Sequence, residues 1–435
     1  MRRRWTAVLC TLSIACSRTP PSPEVPAAEE QITGRESIGW DQRAADPVEL
    51  ATFRYAIYVD GNRSELSGAR CATSSSNGAY ACSARLPSLS VGRHAIQIAS
   101  FVVDGSILES SRSATLNVIV SGASSPSLTG AAEARVEWRT DPIVTADGVE
   151  MRIEAIARGF DRPSGLAFLP DRRIVVTEQR GVIRVLDRDG VASGRSSVDD
   201  VNADDGGLLA IALDPRFADN HFAYILYTAR LRDDAAVFCV ARVREAAGTF
   251  ADRVVLHEDP RNAATATAAL SIGPDEKLYV AVGRQVLRLN RDGTTPDDQP
   301  GHSPAYSAGY RAARGLAWQP QSGLLWVLDG IDPSTATVMA AGRPHTSRAL
   351  PQSTPPSSMA FGADALRDDL VIASEAGRHL LRVRFDPRAP TTIVSTERLL
   401  QDAVGGIRVA AAGPDAALYF ATADSVGRLV TVSRR

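Results

Sequence analysis

Gly165-Leu-Ala-Phe-Leu-Pro-Asp171 is a short apolar run ending in a Pro-Asp turn, and it is the first of six variants of one phrase. The others are Gly207-Leu-Leu-Ala-Ile-Ala-Leu-Asp-Pro215, Ala269-Leu-Ser-Ile-Gly-Pro-Asp275, Gly315-Leu-Ala-Trp-Gln-Pro-Gln321, Ser358-Met-Ala-Phe-Gly-Ala-Asp364 and Val409-Ala-Ala-Ala-Gly-Pro-Asp415. They recur at intervals from the low forties to about sixty residues, near the roughly 40–50 of a propeller blade. A second apolar run follows each turn, as in Arg173-Ile-Val-Val-Thr177, Lys277-Leu-Tyr-Val-Ala-Val282 and Leu418-Tyr-Phe-Ala-Thr422. These runs alternate or are β-branched, and no stretch sustains a helical period, so they read as strands. One small sheet has exposed edges and a thin core. Six around an axis cover both faces and leave only short, protected edges. The expectation is an all-β chain with a six-bladed β-propeller over residues 150–435. A β-sandwich is the competing architecture, but it has no reason to repeat a phrase.

The chain has 435 residues, 44% hydrophobic, with a net charge of -2. That suffices for two domains and offers no broad basic field for nucleic acid. Lys277 is the sole lysine, so any chemistry that needs a lysine has only that one to use.

Met1-Arg-Arg-Arg-Trp5 followed by a short apolar core reads as an export signal, too short to span a bilayer. It ends Leu12-Ser-Ile-Ala-Cys16, which resembles a bacterial lipobox, with Cys16 as the lipidated residue. Ser13 departs from the usual leucine, and an ordinary secretory signal cut nearby is the alternative. Residues 17–36 are Pro-rich and polar, as a tether would be. The expected location is the bacterial envelope facing the periplasm, with the membrane met by the lipid anchor only, or secretion, and the expected state is a monomer. In that oxidising setting Cys71 and Cys82, flanking a turn-rich loop, are expected to pair. Cys239 reads as a buried core thiol.

Residues 37–121 read as a separate small β-sandwich: Phe53, Tyr55, Ile57 and Val59 alternate, turns fall at Asp60-Gly61 and Asn77-Gly78, and residues 122–149 form a linker. The stretch from Trp40 to Gly61 resembles a fibronectin type III domain, where an early Trp packs in the core. A spacer role and a binding role both stand open for it.

The propeller resembles the soluble quinoprotein glucose/sorbosone dehydrogenases. The phrases that carry this are Gly159-Phe-Asp-Arg-Pro-Ser-Gly-Leu-Ala-Phe-Leu-Pro-Asp171, Asp205-Gly-Gly-Leu-Leu-Ala-Ile-Ala-Leu-Asp-Pro215, Leu287-Arg-Leu-Asn-Arg-Asp-Gly-Thr-Thr-Pro296 and Arg314-Gly-Leu-Ala-Trp318. The resemblance implies a six-bladed propeller holding pyrroloquinoline quinone (PQQ) and calcium on its axis, oxidising aldose sugars at the anomeric carbon. That chemistry needs a base near neutral pKa within hydrogen-bond reach of the sugar hydroxyl, a role suited to histidine.

The residues between the repeats depart from that pattern. Thr265 stands where the family's His is expected, with alanines in place of the accompanying Gly and Arg. His257 lies a short way upstream, in a run that reads as an outer strand. Gly309-Tyr-Arg-Ala-Ala-Arg-Gly315 keeps Arg311 but not the family's neighbouring Asn, and Gly406-Ile-Arg408 keeps one Arg of a pair. The acidic phrase linked to calcium and quinone has shrunk to Asp329-Gly-Ile-Asp332, and no blade-five lysine exists. Asp205, Arg311 and Arg408 are therefore the cofactor-binding candidates, with blade-to-blade ion pairs as their alternative role. No catalytic residue and no metal site is assigned. Asp297, Asp298 and His302 share a loop that reads as a solvated turn. Two functions stay open: a propeller that has lost catalysis and binds a carbohydrate ligand or a partner, and a PQQ/calcium-dependent aldose dehydrogenase with a rearranged site. No nucleophile elbow supports a hydrolase.

Overall fold

The computed structural model describes residues 30–432 except 33–35, 67–68, 75–77, 87–88, 90–91, 105, 121–137, 139–141, 231–235, 260–267, 300–302, 330–334, 341–342 and 350–354. Cys16, Thr265, His302 and Asp332 lie outside the described residues. Among the described residues no helix is long and apolar enough to cross a membrane.

Six antiparallel sheets follow the six phrases, and the architecture is the expected six-bladed propeller preceded by a small sandwich. Blade one runs Pro163–Phe168, Ile174–Glu178, Val182–Leu186 and Ala192–Ser197. Blades two to five begin with Leu208–Leu213, Ala268–Ile272, Ala313–Trp318 and Ser358–Phe361. These first strands touch one another in sequence around the axis, and the first strand of blade six, Val409–Ala412, closes the ring against that of blade one. The second strands Ile174–Glu178, Leu278–Val282, Leu325–Asp329 and Leu370–Ser374 are buried at every residue. Flanking blades cover both of their faces, which is why they read as continuous apolar runs rather than alternating ones.

Blade six is made from both ends of the propeller. Glu150–Arg158 pairs antiparallel with Ser425–Thr431, from Met151 opposite Thr431 to Arg158 opposite Ser425. Ile143–Val144 extends this sheet, and Trp138 packs on Phe420 with ring centroids 5.2 Å apart. Propeller packing thus begins inside the stretch expected as linker.

The repeated turn has a physical job. In blade three Asp275 accepts from Tyr279 Oη at 3.0 Å and from Arg288 Nε and Nη2 at 3.0 and 2.8 Å. In blade six Asp415 accepts from Tyr419 Oη at 3.0 Å and Arg428 Nη1 at 2.6 Å. In blade five Asp369, a few residues past the phrase, accepts from Arg382 Nε at 2.7 Å. In all three the turn Asp precedes the third-strand Arg by 13 residues. In blade two Asp214 takes Tyr224 Oη at 2.7 Å and Arg291 from the blade-three side at 2.9 Å. In blades three, five and six the turn Asp therefore clasps strands two and three together. Arg382 is the most enclosed of these cations, with 1% of its side chain exposed, and it also meets Asp147 at 2.8 Å and Glu397 at 2.6 Å. Hydrogen bonding from Arg382 holds the Asp147 carboxyl well below the usual carboxylate range.

The N-terminal unit has two sheets. Glu30–Ile32, Leu116–Val120, Gly92–Asp104, Arg54–Val59 and Asn62–Glu65 form one, with Ser106–Glu109 hairpinned onto it, and Ser37–Arg43, Ala79–Arg85 and Arg70–Cys71 form the other. Ile57, Ile96 and Val118 meet Tyr80, Cys82 and Ala84 between them. The first strand lies within the expected tether, pairing parallel with Leu116–Val120. Cys71 and Cys82 form the expected disulfide between facing residues of adjacent strands. Cys239 is a buried free thiol, its pKa pushed up to about 12 chiefly by burial.

Candidate functional site

A cavity of about 520 Å³ opens on the propeller axis, within the ~300–1,000 Å³ of ordinary small-molecule sites. All six blades reach it: Arg162 and Gln179 from blade one, Gly206 and Leu208 from blade two, Ala268 from blade three, Arg314 from blade four, Ser357 and Glu375 from blade five, and Arg408 leading into blade six.

Arg408 is the one sequence candidate that the structure brings to this cavity. Its backbone N–H donates to Ala421 O at 2.8 Å, which fixes the chain just ahead of the blade-six inner strand. Its Nε donates to Pro163 O at 2.9 Å and its Nη1 to Glu375 Oε2 at 2.6 Å, with the side chain 13% exposed and Glu375 42% exposed. The missing partner of the Arg pair also has a local explanation. A Cβ at Gly406 would stand 2.6 Å from Glu375 O, so blade five has closed over the place where a side chain would project.

Arg314 leaves the first strand of blade four with 8% exposure and donates from Nη1 to Pro356 O at 3.0 Å. Desolvation lowers its pKa from the usual arginine value. Arg162 sits in a left-handed turn at φ 53° and donates from Nε to Gln179 Oε1 at 2.7 Å. Gln179 in turn receives Leu208 N–H on its carbonyl at 2.8 Å. Gly207, at φ 81°, admits this approach, since a Cβ there would lie 2.0 Å from the same carbonyl. The Asp205-Gly-Gly-Leu208 phrase is thus a docking device between blades one and two.

The other candidates are placed elsewhere. Arg311 is exposed and does not line the cavity. Its backbone N–H and that of Ala312 donate to Asp329 Oδ1 at 2.8 and 2.9 Å, so Asp329 caps a turn. Asp205 ends the short turn Ala203–Asp205, half-buried and beside the lining rather than in it. His257 lies on Thr249–Asp259, the outer strand of blade two, opposite Val240. His379 is buried in blade five with Nδ1 at 2.8 Å from Gly377 O. Asp298 lies in an exposed turn but makes an ion pair with Arg288 at 2.8 Å. Among the described residues no histidine lines the cavity and no group of three or more His, Cys, Asp or Glu could hold a metal. Sequence reasoning missed Arg162, Gln179, Arg314 and Glu375. Arg162 and Arg314 each stood inside a phrase that carries the resemblance, whereas Gln179 and Glu375 stood in none of the quoted phrases.

The glucose/sorbosone dehydrogenase family profile matches residues 160–330, blade one to the middle of blade four. Aldose sugar dehydrogenase YliI of Escherichia coli (strain K12) is 27% identical over 206 residues, 41% of this chain and 56% of that protein. Quinoprotein glucose dehydrogenase B of Acinetobacter calcoaceticus is 26% identical over 223 residues, 40% of this chain and 47% of that protein. The chain therefore spans about half the length of the curated relatives it matches. A solved structure of a putative oxidoreductase (glucose dehydrogenase) from Thermus thermophilus superposes with a TM-score of 0.56 at 27% identity, covering 64% of this chain and all of that one.

A quinone of this family's kind carries carboxylates, and Arg162, Arg314 and Arg408 are the chemistry that would receive them. The rest of the set does not fit. Among the described lining residues the one carboxylate, Glu375, is engaged with Arg408, and the described residues supply neither a histidine base nor a cluster of metal donors.

Proposed function

We propose that this propeller has lost sugar oxidation and serves as a binding domain for a carbohydrate ligand in its axial cavity. The observation that carries the reading is the Arg408–Glu375 pair at 2.6 Å, with blade five closed over Gly406. It ties up the one acid group among the described lining residues, where a dehydrogenase needs a free base. The presence of Thr265 at the expected His position supports the same reading. The test is reconstitution of the purified protein with PQQ and calcium, followed by dye reduction across a panel of aldoses. The expected result is no sugar-dependent turnover, and turnover above the cofactor-only rate defeats the reading.

One observation favours the second reading, an active aldose dehydrogenase with a rearranged site: three arginines suited to quinone carboxylates persist on the axis. In that case Glu375 is the remaining candidate base, and Glu375→Gln would abolish turnover.

We further propose that the protein is a monomer held at the bacterial envelope by a lipid on Cys16. Radiolabelled palmitate should be incorporated by the native chain and not by Cys16→Ala, and the Cys16→Ala protein should appear in the soluble fraction.

A further inference from the structure

We propose that the axial cavity takes a carboxylated sugar, a uronic or aldonic acid, whose carboxylate is received by Arg162, Arg314 and Arg408 and whose hydroxyls are met by Glu375; this rests on the binding reading above. Among the described lining residues three guanidinium groups accompany one carboxylate, and Asp329 acts on Arg314 from behind, so the described groups keep a positive excess. A neutral sugar would take water from the free donors of Arg162 and Arg408 without returning a charge-assisted bond, which costs affinity. A carboxylate replaces that water with charge-assisted hydrogen bonds.

The donors are arranged for this. Arg408 uses Nε and Nη1 on Pro163 O and Glu375, which leaves Nη2 for a ligand. Arg162 uses Nε on Gln179, which leaves both terminal nitrogens. Such a fork matches a carboxylate in a bidentate way. Arg314 is fixed by Pro356 O at 3.0 Å and brings a largely desolvated charge to the opposite side of the ring, where each ion contact counts for more. Glu375 keeps Oε1 to accept from hydroxyls, since Arg408 engages Oε2. Pro163, Pro355 and Leu208 add apolar faces of the kind on which a pyranose rests its C–H side. The volume of about 520 Å³ admits a short saccharide. A free sugar acid and the end of an acidic polysaccharide share this chemistry.

The full-length protein is to be titrated calorimetrically with D-galacturonate, digalacturonate, D-gluconate and D-galactose, and separately with PQQ and calcium. The acids should bind at least 10-fold more tightly than galactose, and binding should weaken at least several-fold between about 50 and 500 mM salt, as screening requires. Arg408→Gln and Arg162→Ala should each lower acid affinity 10-fold or more. Arg162 is exposed, so that variant folds even if changes at the buried cations do not. Digalacturonate binding more tightly than galacturonate assigns a polysaccharide end, and equal affinity assigns the free acid. Equal binding of galactose and galacturonate overturns the acid assignment while leaving sugar binding intact. Acid binding untouched by both variants overturns the site, and binding of PQQ alone, or of nothing, overturns the proposal. Sugar-dependent dye reduction with PQQ is a separate readout and defeats the binding-only reading instead.

Discussion

The turn end and the axial end of the propeller both employ arginine, with different partners. At the turn end Arg288, Arg382 and Arg428 each meet a carboxylate 13 residues earlier in the chain, and Arg288 and Arg428 share that carboxylate with a tyrosine hydroxyl. At the axis Arg162, Arg314 and Arg408 come from three blades at no shared spacing, and two of them lean on backbone carbonyls. Charge at the turn end is met by carboxylates of the same or the adjoining blade, as folding demands of enclosed ions. At the axis three arginines accompany one carboxylate among the described lining residues, and donors of Arg162 and Arg408 stay open toward the cavity.

Experiments can break this comparison, beginning with the most enclosed clasp. Arg382→Ala leaves Asp147, Asp369 and Glu397 without their shared cation and should cost about 3–5 kcal/mol, read from urea unfolding at neutral pH. A loss below about 1 kcal/mol would mean that the clasp is a surface pair in effect. Asp147→Asn tests the same cluster through pH. The folded carboxyl titrates below its unfolded value because Arg382 bonds it, so its contribution is present above about pH 4 and fades as pH falls. The stability gap between native protein and Asp147→Asn should therefore narrow from pH 7 toward pH 3, and a constant gap would contradict the assignment. Tyr279→Phe and Tyr419→Phe each remove one hydroxyl bond to a turn carboxylate and should cost about 1–3 kcal/mol. Lying in separate blades, they should add to within ~0.5 kcal/mol in the double variant. Arg162→Ala, at the axis, should change stability by no more than ~0.5 kcal/mol while lowering ligand affinity, the reverse of the clasp variants.

The fold was legible because the Pro-Asp turn and its apolar neighbours are local, and local residues repeat with the blade. The clasp went unread, although Asp275 and Arg288, like Asp415 and Arg428, stand at one fixed spacing, because only the structure shows that the spacing brings them together. The site was harder to see. Arg408 could be found because it sits in a short phrase next to a repeat. Glu375 could not, because its meeting with Arg408 is made by the closing of blade five on blade six. Arg162 owes its place to a turn with positive φ, and a single sequence does not mark an arginine for such a turn. Arg311 misled for the converse reason: its phrase persists for the sake of the Asp329 cap, which uses backbone N–H groups and leaves the side chain outside.

The shared sixth blade also sets an order in time. Arg428 reaches Glu154 across 274 residues of chain. At the pace of synthesis, about 5–20 residues per second, the strand Glu150–Arg158 is made roughly 15–55 s before its partner Ser425–Thr431 exists. A strand left waiting is a template for pairing with the wrong neighbour. Glu150, Arg152, Glu154 and Arg158 stud this one with charge, which makes it a poor template for strangers. The residues that later lock the ring thus first guard its open end, and the arrival of Ser425–Thr431 turns a growing chain into a closed circle.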